Sequence, residues 1–379
     1  MMKIGVDARG AIWYRGTGIG TYTYQLVKNL HLLNQSHEYR FFWPGDEYKN
    51  LDPSVDEVFN SIERSKDKFW EEVHIPMSVE QEHIDLFHVP QNGIGLPAKK
   101  GCLNVVTVHD LIPYIYPETV GRGYLKIFLS EMPRIMEQAD LVITVSEHSK
   151  RDIQRIFQLP EEQVVVTYEA PESVYQPIDK IAAQSYVKEK FGIDSRYILY
   201  IGGFSPRKNV KGLINAFYEI QHDIPADYKL VLVGKEARDY EETAMLIEAL
   251  RLQDKVVFTG FAPVLELPYL YSAADLFIYP SFYEGFGLPP LEAMACGTPT
   301  ITSNTSSIPE VTGEAALLIN PHDMYDLAGQ MVKVLNDENL QARMRQEGLQ
   351  QSAKFTWKRC AEETLAAYQT LYNRTRSHT

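Results

Sequence analysis

Two glutamates that are eight residues apart, Glu284 and Glu292, flank a segment with the features of an anion site. A predicted strand ends before the glycine-rich loop 284–288, and a predicted helix over 290–295 follows and stops at Gly297. The start of a helix presents backbone N–H groups that favour a phosphate. Carboxylates beside such a site suit the hydroxyl groups of the same ligand. The alternative is a capped structural helix with two surface glutamates.

Two adjacent cations, Arg207 and Lys208, follow a predicted strand. Two glycines, Gly202 and Gly203, mark the end of that strand. They precede a predicted helix over 210–220 that Asn209 could cap. Positive charges at a helix start oppose the helix dipole. A bound anion would explain them, and the forked guanidinium of arginine suits a diphosphate. The alternative is a solvated, charged turn.

Two segments in the first half of the chain also follow predicted strands. The loop 15–22 carries Gly18 and Gly20, which would let the backbone approach a ligand closely; a flexible turn is the alternative. His109 ends an apolar strand, where its ring could bond a substrate hydroxyl or titrate, with Asp110 orienting it. The alternative is a buried histidine satisfied by a backbone carbonyl.

Several familiar motifs are absent from the sequence. There is no Asp-x-Asp triplet, no Gly-x-Ser-x-Gly elbow, and the Gly-x-Gly-x-Gly loop is neither a dinucleotide fingerprint nor a P-loop. The spacing of His74, His83 and His88 does not place two ligands on one helix turn. The three cysteines are far apart. We therefore expect no metal site and no disulfide framework.

Strands alternate with helices along the whole chain, which predicts an α/β protein with parallel sheets covered by helices. The predicted strands are 3–6, 39–42, 85–89, 104–108, 141–145, 164–167, 197–201, 230–233, 256–259, 276–279, 298–302 and 316–319. The predicted helices are 21–33, 124–137, 147–157 (capped by Ser146), 210–220, 240–252, 265–273, 290–295 and 324–335. The repetition indicates two doubly wound units in series.

The length of 379 residues favours two domains. We predict an N-terminal domain over 1–172 and a C-terminal domain over 173–355. The tail 356–379 contains an amphipathic helix that could cap either domain, and we expect it to cross back to the first. Open α/β sheets bind ligands at the carboxyl ends of their strands, so we expect the site in a cleft between the two sheets.

Composition narrows the class of partner and the location. The net charge is −13 and the pI about 5.3, whereas nucleic-acid binders carry a basic surface, so no nucleic-acid partner is expected. The first residues lack the apolar core of a signal peptide. No apolar run reaches the length of about 18 residues that suggests a membrane span. The expectation is a cytoplasmic protein.

Taken together, these segments resemble the retaining glycosyltransferases of the GT-B fold, family GT4. The segment 284–299 reads Glu-Gly-Phe-Gly-Leu-Pro-Pro-Leu-Glu-Ala-Met-Ala-Cys-Gly-Thr-Pro and is similar to the signature of that family. The segment 202–209, Gly-Gly-Phe-Ser-Pro-Arg-Lys-Asn, resembles its diphosphate loop. The segments around His109 and Ser146 resemble motifs of its N-terminal domain. The resemblance implies two Rossmann-like doubly wound domains that face each other across a cleft.

The resemblance also implies roles for individual residues. Arg207 and Lys208 would stabilise the donor diphosphate and the charge that grows on it as the glycosidic bond breaks. Glu284 would contact hydroxyls of the transferred sugar, and Glu292 would hold the ribose hydroxyls. His109 would lie near the reacting face of the sugar. The remaining donor-binding positions that the resemblance implies are Gly18, Gly20, Gly203, Phe286, Gly287 and Leu288.

Within the family, the chain looks most like mannosyltransferases of cell-surface polysaccharide assembly. This implies GDP-mannose as the leading donor, with a UDP-hexose or a dTDP-deoxysugar as alternatives. The implied acceptor is a saccharide or lipid-linked saccharide, with peripheral membrane contact. The resemblance also implies front-side attack with retention of the anomeric configuration. It implies that the reaction requires neither a cofactor nor a metal ion. A non-catalytic nucleotide-sugar-binding subunit is the alternative from another class. We expect Lys208→Ala and Glu284→Ala each to abolish transfer without changing the melting curve.

Overall fold

A computed structural model describes residues 1–14, 16–33, 37–43, 70–236 and 239–377. The chain forms two compact units, one of Met1–Glu169 with Trp357–Thr379 and the other of Ala170–Thr356. The predicted domain boundary at 172/173 lies close to this division. Arg15, part of the predicted glycine loop, lies outside the described residues.

The first unit is built on a parallel sheet of six strands. In chain order these are β1 (Lys3–Asp7), β2 (Glu38–Phe42), β3 (Leu86–Val89), β4 (Leu103–Val108), β5 (Leu141–Thr144) and β6 (Val164–Val166). Their order in the sheet is β2-β1-β3-β4-β5-β6. The central strands are apolar and buried, as expected for a sheet covered on both faces. The predicted strands of this half are confirmed.

Helices follow most of these strands. They are α1 (Gly10–Trp13), α2 (Gly18–Leu32), α3 (Ile75–Gln81), α4 (Ile112–Ile115), α5 (Arg122–Gln138) and α6 (Glu147–Phe157). The predicted cap of α6 is confirmed, because Ser146 accepts a hydrogen bond from the Ser149 N–H. Helix α2 begins three residues earlier than predicted, since the Thr17 side chain accepts from the Gly20 N–H. Gly18 and Gly20 therefore lie in the first turn of a helix and not in a loop.

The second unit repeats the scheme. Its strands are β7 (Tyr197–Ile201), β8 (Lys229–Val233), β9 (Val256–Gly260), β10 (Leu276–Tyr279), β11 (Thr300–Ser303) and β12 (Leu317–Ile319). All pairs are parallel, in the order β12-β11-β10-β7-β8-β9. In this order β7 and β10 are neighbours at the centre of the sheet. The loops that follow these two strands therefore meet at one edge.

The helices of the second unit include three that the sequence did not predict. They are α7 (Lys180–Phe191), α8 (Val210–Glu219), α9 (Tyr240–Ala249), α10 (Leu267–Ala273), α11 (Leu288–Ala295), α12 (Ile308–Thr312), α13 (Met324–Leu335) and α14 (Glu338–Ser352). The three missed helices are α7, α12 and α14. Helix α14 is strongly polar, and α12 has only five residues. Helix α7 buries only Ala183 and Val187, too few to show a helical apolar stripe.

The last helix, α15 (Trp357–Arg376), belongs to the first unit, where it packs on α2. A hydrogen bond of 2.6 Å joins the Tyr368 hydroxyl to Nδ1 of His88, a buried residue of β3. On the other side of the His88 ring, Nε2 lies 2.8 Å from the Thr107 hydroxyl on β4. The end of the chain is thus bonded to the centre of the N-terminal sheet.

In the described ranges, no helix combines the length and the apolar character that crossing a bilayer requires.

Candidate active site

A single carboxylate joins two cations in the second unit. Glu284 Oε1 lies 2.7 Å from Lys208 Nζ and 2.8 Å from Arg207 NH1. The cations come from the loop after β7 and the carboxylate from the loop after β10, so the neighbouring positions of these strands bring them together. Burial by itself raises the pKa of Glu284, but the charges of Lys208 and then Arg207 outweigh it and lower that pKa to about 2. Glu284 is therefore an anion at neutral pH.

The backbone and an aromatic ring fix the two cations further. Arg207 also donates to the Tyr283 carbonyl, and Lys208 to the Tyr279 hydroxyl. Lys208 Nζ lies 4.8 Å from the centroid of the Tyr279 ring, within cation–π range. The arrangement presents two positive charges that are held by a carboxylate, a backbone carbonyl and a tyrosine. Such a cluster can stabilise negative charge on a ligand oxygen.

The loop before Arg207 approaches the sheet closely. Gly202 faces the Tyr200 hydroxyl, which would lie 2.7 Å from an added Cβ. An added Cβ at Gly203 would meet no atom within 4 Å, so the backbone here is open on one side. The proposed cap of α8 is wrong: Asn209 is left-handed, with φ of 54°, and its side chain donates to the Pro321 carbonyl. The cations thus sit on a tight 3-10 turn, Pro206–Lys208.

The glycine-rich loop before α11 is held by two serines that the sequence analysis did not select. The Ser306 hydroxyl accepts from the Glu284 N–H at 3.0 Å. Ser307 donates to the carbonyls of Glu284 and Phe286, at 2.9 and 2.7 Å. Both serines follow β11, the neighbour of β10. Their position after a strand of the same sheet was the signal that could have identified them.

Gly287 is required by the geometry of this loop. Its φ is 118°, a conformation that residues with a side chain rarely adopt, and an added Cβ would lie 2.7 Å from the Ile308 methyl. Leu288 follows as the first residue of α11, and Pro289 and Pro290, which have no N–H, come next, so this turn offers only the N–H groups of Leu288 and Leu291. The predicted anion site at this helix start stays a prediction.

Glu292 has surroundings unlike those of Glu284. It lies within α11, and its Oε2 accepts a hydrogen bond of 3.0 Å from the Tyr271 hydroxyl on α10. Burial raises the pKa of Glu292 to about 7; the Tyr271 bond opposes the shift and the Glu172 charge adds to it. From the sequence, we interpreted Glu284 and Glu292 as one pair of carboxylates. The structure gives them different partners and opposite pKa shifts.

His109 lies in the first unit, directly after β4, and is buried. Its Nδ1 is 3.0 Å from Glu169 Oε1, and its Nε2 is 3.0 Å from the Pro90 carbonyl oxygen. The expectation that Asp110 orients the ring is wrong. The Asp110 carboxylate turns to the backbone and accepts from the Ile112 N–H at 2.9 Å. Glu169, which the sequence analysis did not select, takes the place predicted for Asp110.

A second buried charge pair lies at the end of β1. The Arg9 side chain donates to both oxygens of Asp7, at 2.8 and 2.6 Å, and neither residue is exposed. Gln91, after β3, donates to the same carboxylate at 2.6 Å. The sequence signal was present, because Asp7 and Arg9 directly follow an apolar strand.

Together, the structure brings Arg207, Lys208 and Glu284 into contact in the second unit. His109, Gly18 and Gly20 belong to the first. Throughout the described residues, no group of three or more histidine, cysteine, aspartate or glutamate side chains is placed to hold a metal ion.

Two family models cover most of the sequence. "Glycosyl transferases group 1" matches residues 168–351, and "Glycosyltransferase Family 4" matches residues 16–170. Among curated proteins, the chain is 30% identical over 386 residues to the O-antigen chain mannosyltransferase B of Escherichia coli. The alignment covers 98% of this chain and 100% of that relative.

Solved structures share the two-sheet architecture. The sucrose-phosphate synthase of Thermosynechococcus elongatus superposes with a TM-score of 0.74 at 22% identity, covering 99% of this chain and 100% of that one. Anabaena Alr3699/HepE in complex with UDP-glucose superposes with a TM-score of 0.70 at 19% identity, over 98% and 100% of the two chains. At these identities the likeness concerns the fold, which is GT-B.

Proposed function

The chain belongs to the glycosyltransferases of group 1, family 4, and from that premise we propose that it transfers mannose from GDP-mannose to a saccharide or lipid-linked saccharide. The transfer retains the anomeric configuration and needs no metal ion. The mannosyltransferase relative, aligned over its whole length, supports the choice of sugar. The observation that carries the proposal is the contact of Arg207 and Lys208 with Glu284.

The proposed chemistry is electrostatic. Breaking the bond between the sugar and the diphosphate places negative charge on the leaving oxygen, and preorganised cations lower the free energy of that charge. Arg207 and Lys208 supply the cations, and the guanidinium can bind two oxygens at once. A donor diphosphate oxygen accepts the proton of the attacking hydroxyl, so no side chain is assigned as nucleophile or base.

The remaining site residues position the donor in this proposal. Glu284 binds hydroxyls of the transferred sugar while it stays close to the two cations. Glu292 holds the ribose, and His109 lies near the reacting face of the sugar. The residues proposed to offer backbone groups to the sugar and diphosphate are Gly18, Gly20, Gly203, Phe286, Gly287 and Leu288.

The donor is tested by thermal shift and by transfer assays. GDP, UDP, dTDP and ADP are compared with and without EDTA; a ligand at about 100 times its Kd stabilises by about 2.7 kcal/mol. We expect a shift with GDP that EDTA leaves intact, and transfer from GDP-mannose with an α-linked product by NMR. A shift with UDP or dTDP alone would replace the donor with a UDP-hexose or a dTDP-deoxysugar. No shift with any nucleotide would contradict the proposal.

The proposal also includes contact with a membrane that carries the acceptor. The first half of α5 exposes Tyr124, Ile127 and Leu129 at 36%, 50% and 40% of their surface. Arg122 and Lys126 are exposed beside them. Exposed apolar side chains next to basic ones in the first turns of a helix favour an anionic lipid interface. We expect the protein to sediment with anionic vesicles and the double variant Ile127→Asp/Leu129→Asp to stay in the supernatant; equal sedimentation would contradict this contact.

A further inference from the structure

The ring of His109 faces two hydrogen-bond acceptors. Nδ1 lies 3.0 Å from Glu169 Oε1, and Nε2 lies 3.0 Å from the carbonyl oxygen of Pro90. A carbonyl oxygen can only accept, and so can an ionised carboxylate. A neutral imidazole has one N–H and would leave a nitrogen lone pair against one of these oxygens. An imidazolium donates to both, and the arrangement then has no unsatisfied group.

We propose that His109 is an imidazolium paired with the Glu169 carboxylate, and that Glu169 is a positioning residue that fixes the orientation and charge of His109 for glycosyl transfer. The part about transfer rests on the proposed function. The ion pair rests only on the geometry of the first unit.

The groups packed around His109 hold both its ring and its backbone. The Tyr22 ring of α2 meets it edge to face, with centroids 4.7 Å apart and planes at 87°. The Tyr22 hydroxyl is turned away to Thr107, at 3.1 Å. The backbone N–H of His109 donates to the Asn92 side chain, and the backbone carbonyl of His109 accepts from the Ser149 hydroxyl. Backbone and ring are therefore both held.

Three titratable groups surround the ring. Glu169 follows β6, Tyr22 lies on α2, and His88 lies on β3. Burial raises the pKa of Tyr22 well above its ordinary range, so that side chain is neutral. Burial first, and then the His109 charge, lower the pKa of His88 to about 3, so it is neutral too. Glu169 is the anion that compensates the imidazolium.

The pair determines which chemistry His109 can perform. A histidine with both nitrogens protonated cannot take a proton, so it is not a general base. It is a fixed positive charge at the carboxyl end of β4, where open α/β sheets bind their ligands. The two roles differ in their pH dependence. A base loses activity as the pH falls, whereas an imidazolium loses activity as the pH rises.

Nitrogen-15 NMR of the histidine-labelled full chain tests the pair directly. The His109 signals are assigned by their loss in His109→Gln and are followed from pH 5 to 9. In the wild type at pH 7 we expect protons on both ring nitrogens. Glu169→Gln keeps the shape but removes the charge, so the second proton should leave at a lower pH. A single protonated nitrogen in the wild type would overturn the proposal, and this spectrum requires no variant of Glu169 to fold.

The matched control is Asp110→Asn, which neutralises the adjacent carboxylate without touching the His109 ring. We expect its histidine titration and its activity profile to match those of the wild type. In Glu169→Gln, kcat should fall at lower pH than in the wild type and be more than tenfold lower at pH 8, with most of the loss recovered on acidification. Identical profiles in Glu169→Gln and wild type would overturn the positioning role. Absence of transfer from every donor, with both nitrogens protonated, would instead contradict the proposed function alone.

Discussion

Lys208 Nζ and Glu284 Oε1 lie 2.7 Å apart, with only 15% and 10% of the two side chains exposed. A pair this buried also contributes to the stability of the fold. Removal of one partner from a buried pair costs about 3–5 kcal/mol, because the other charge is left without compensation. The expectation of an unchanged melting curve therefore needs revision for Glu284→Ala, which leaves two cations without their anion and so loses stability as well as transfer. Lys208→Ala should lose less stability, because Arg207 still lies 2.8 Å from Glu284.

Glu284→Gln separates these two effects. The amide leaves Lys208 and Arg207 without their shared anion, so we expect the free energy of unfolding at pH 7 to fall by about 3 kcal/mol. Inorganic pyrophosphate should then raise the Tm of Glu284→Gln by more than it raises that of the wild type, since no carboxylate competes for the cations. The control is Glu219→Gln, at an exposed position of α8. An equal pyrophosphate shift in all three proteins would refute this account of the cluster.

The pKa of Glu284 is lowered and that of Glu292 is raised. The two residues should therefore change the stability of the protein with pH in opposite directions. For Glu284 the folded pKa of about 2 lies below the unfolded value of 4.5, so its contribution is present above pH 4.5 and is lost as the pH falls toward 2. For Glu292 the folded pKa of about 7 lies above 4.5, so stability is lost as the pH rises from 4.5 to 7. Each shift corresponds to about 3 kcal/mol.

Glu292→Gln should therefore change stability differently at the two ends of this range. At pH 8 it removes a charge that is unfavourable in the folded protein, so the free energy of unfolding should fall less between pH 5 and pH 8 than in the wild type. Urea unfolding at both pH values, with Glu219→Gln as the control, measures the difference. A wild-type pH dependence in Glu292→Gln would show that Glu292 is not the group that titrates.

Gly287→Ala should weaken donor binding by distorting the loop before α11. The left-handed φ of 118° and the approach of 2.7 Å to Ile308 predict a loss of about 1–3 kcal/mol in stability. Gly329→Ala is the matched control, because this glycine lies inside α13 and an added Cβ meets nothing within 4 Å. It should stabilise the protein by up to about 1 kcal/mol. Thermal melts and nucleotide titrations of both variants test this prediction. A Gly287→Ala protein as stable as Gly329→Ala would contradict the backbone strain expected at position 287.

Tyr368→Phe should loosen the C-terminal helix from the first unit. The variant removes the hydroxyl that bonds His88 and leaves a buried ring nitrogen unsatisfied, which predicts a loss of about 1–3 kcal/mol in urea unfolding. His88 has a folded pKa of about 3, below its unfolded value of 6.5, so its contribution is present above pH 6.5 and is lost as the pH falls toward 3. Tyr372→Phe, on the same helix, is the control. Equal stability of the two variants would argue against a stabilising role of the hydrogen bond between Tyr368 and His88.

Much of the fold could be predicted because the central strands are short, apolar and followed by helices. The failures have local causes. Helix α7 was missed since it buries two small residues only, and the start of α2 was misplaced since the Thr17 cap is a single hydrogen bond. Such features lie in side-chain geometry, which periodicity does not record.

The candidate site divides in the same way. The residue types at 207, 208, 284 and 287 pointed to an anion site, with a charged turn and a capped structural helix as the alternatives. Only the tertiary structure decided their partners. Strand order makes β7 and β10 neighbours and so places Glu284 on both cations. It also replaces Asp110 by Glu169, which is 60 residues from His109 in sequence. Sequence proximity favoured the adjacent carboxylate, but the direction of each side chain at the end of its strand selected the distant one.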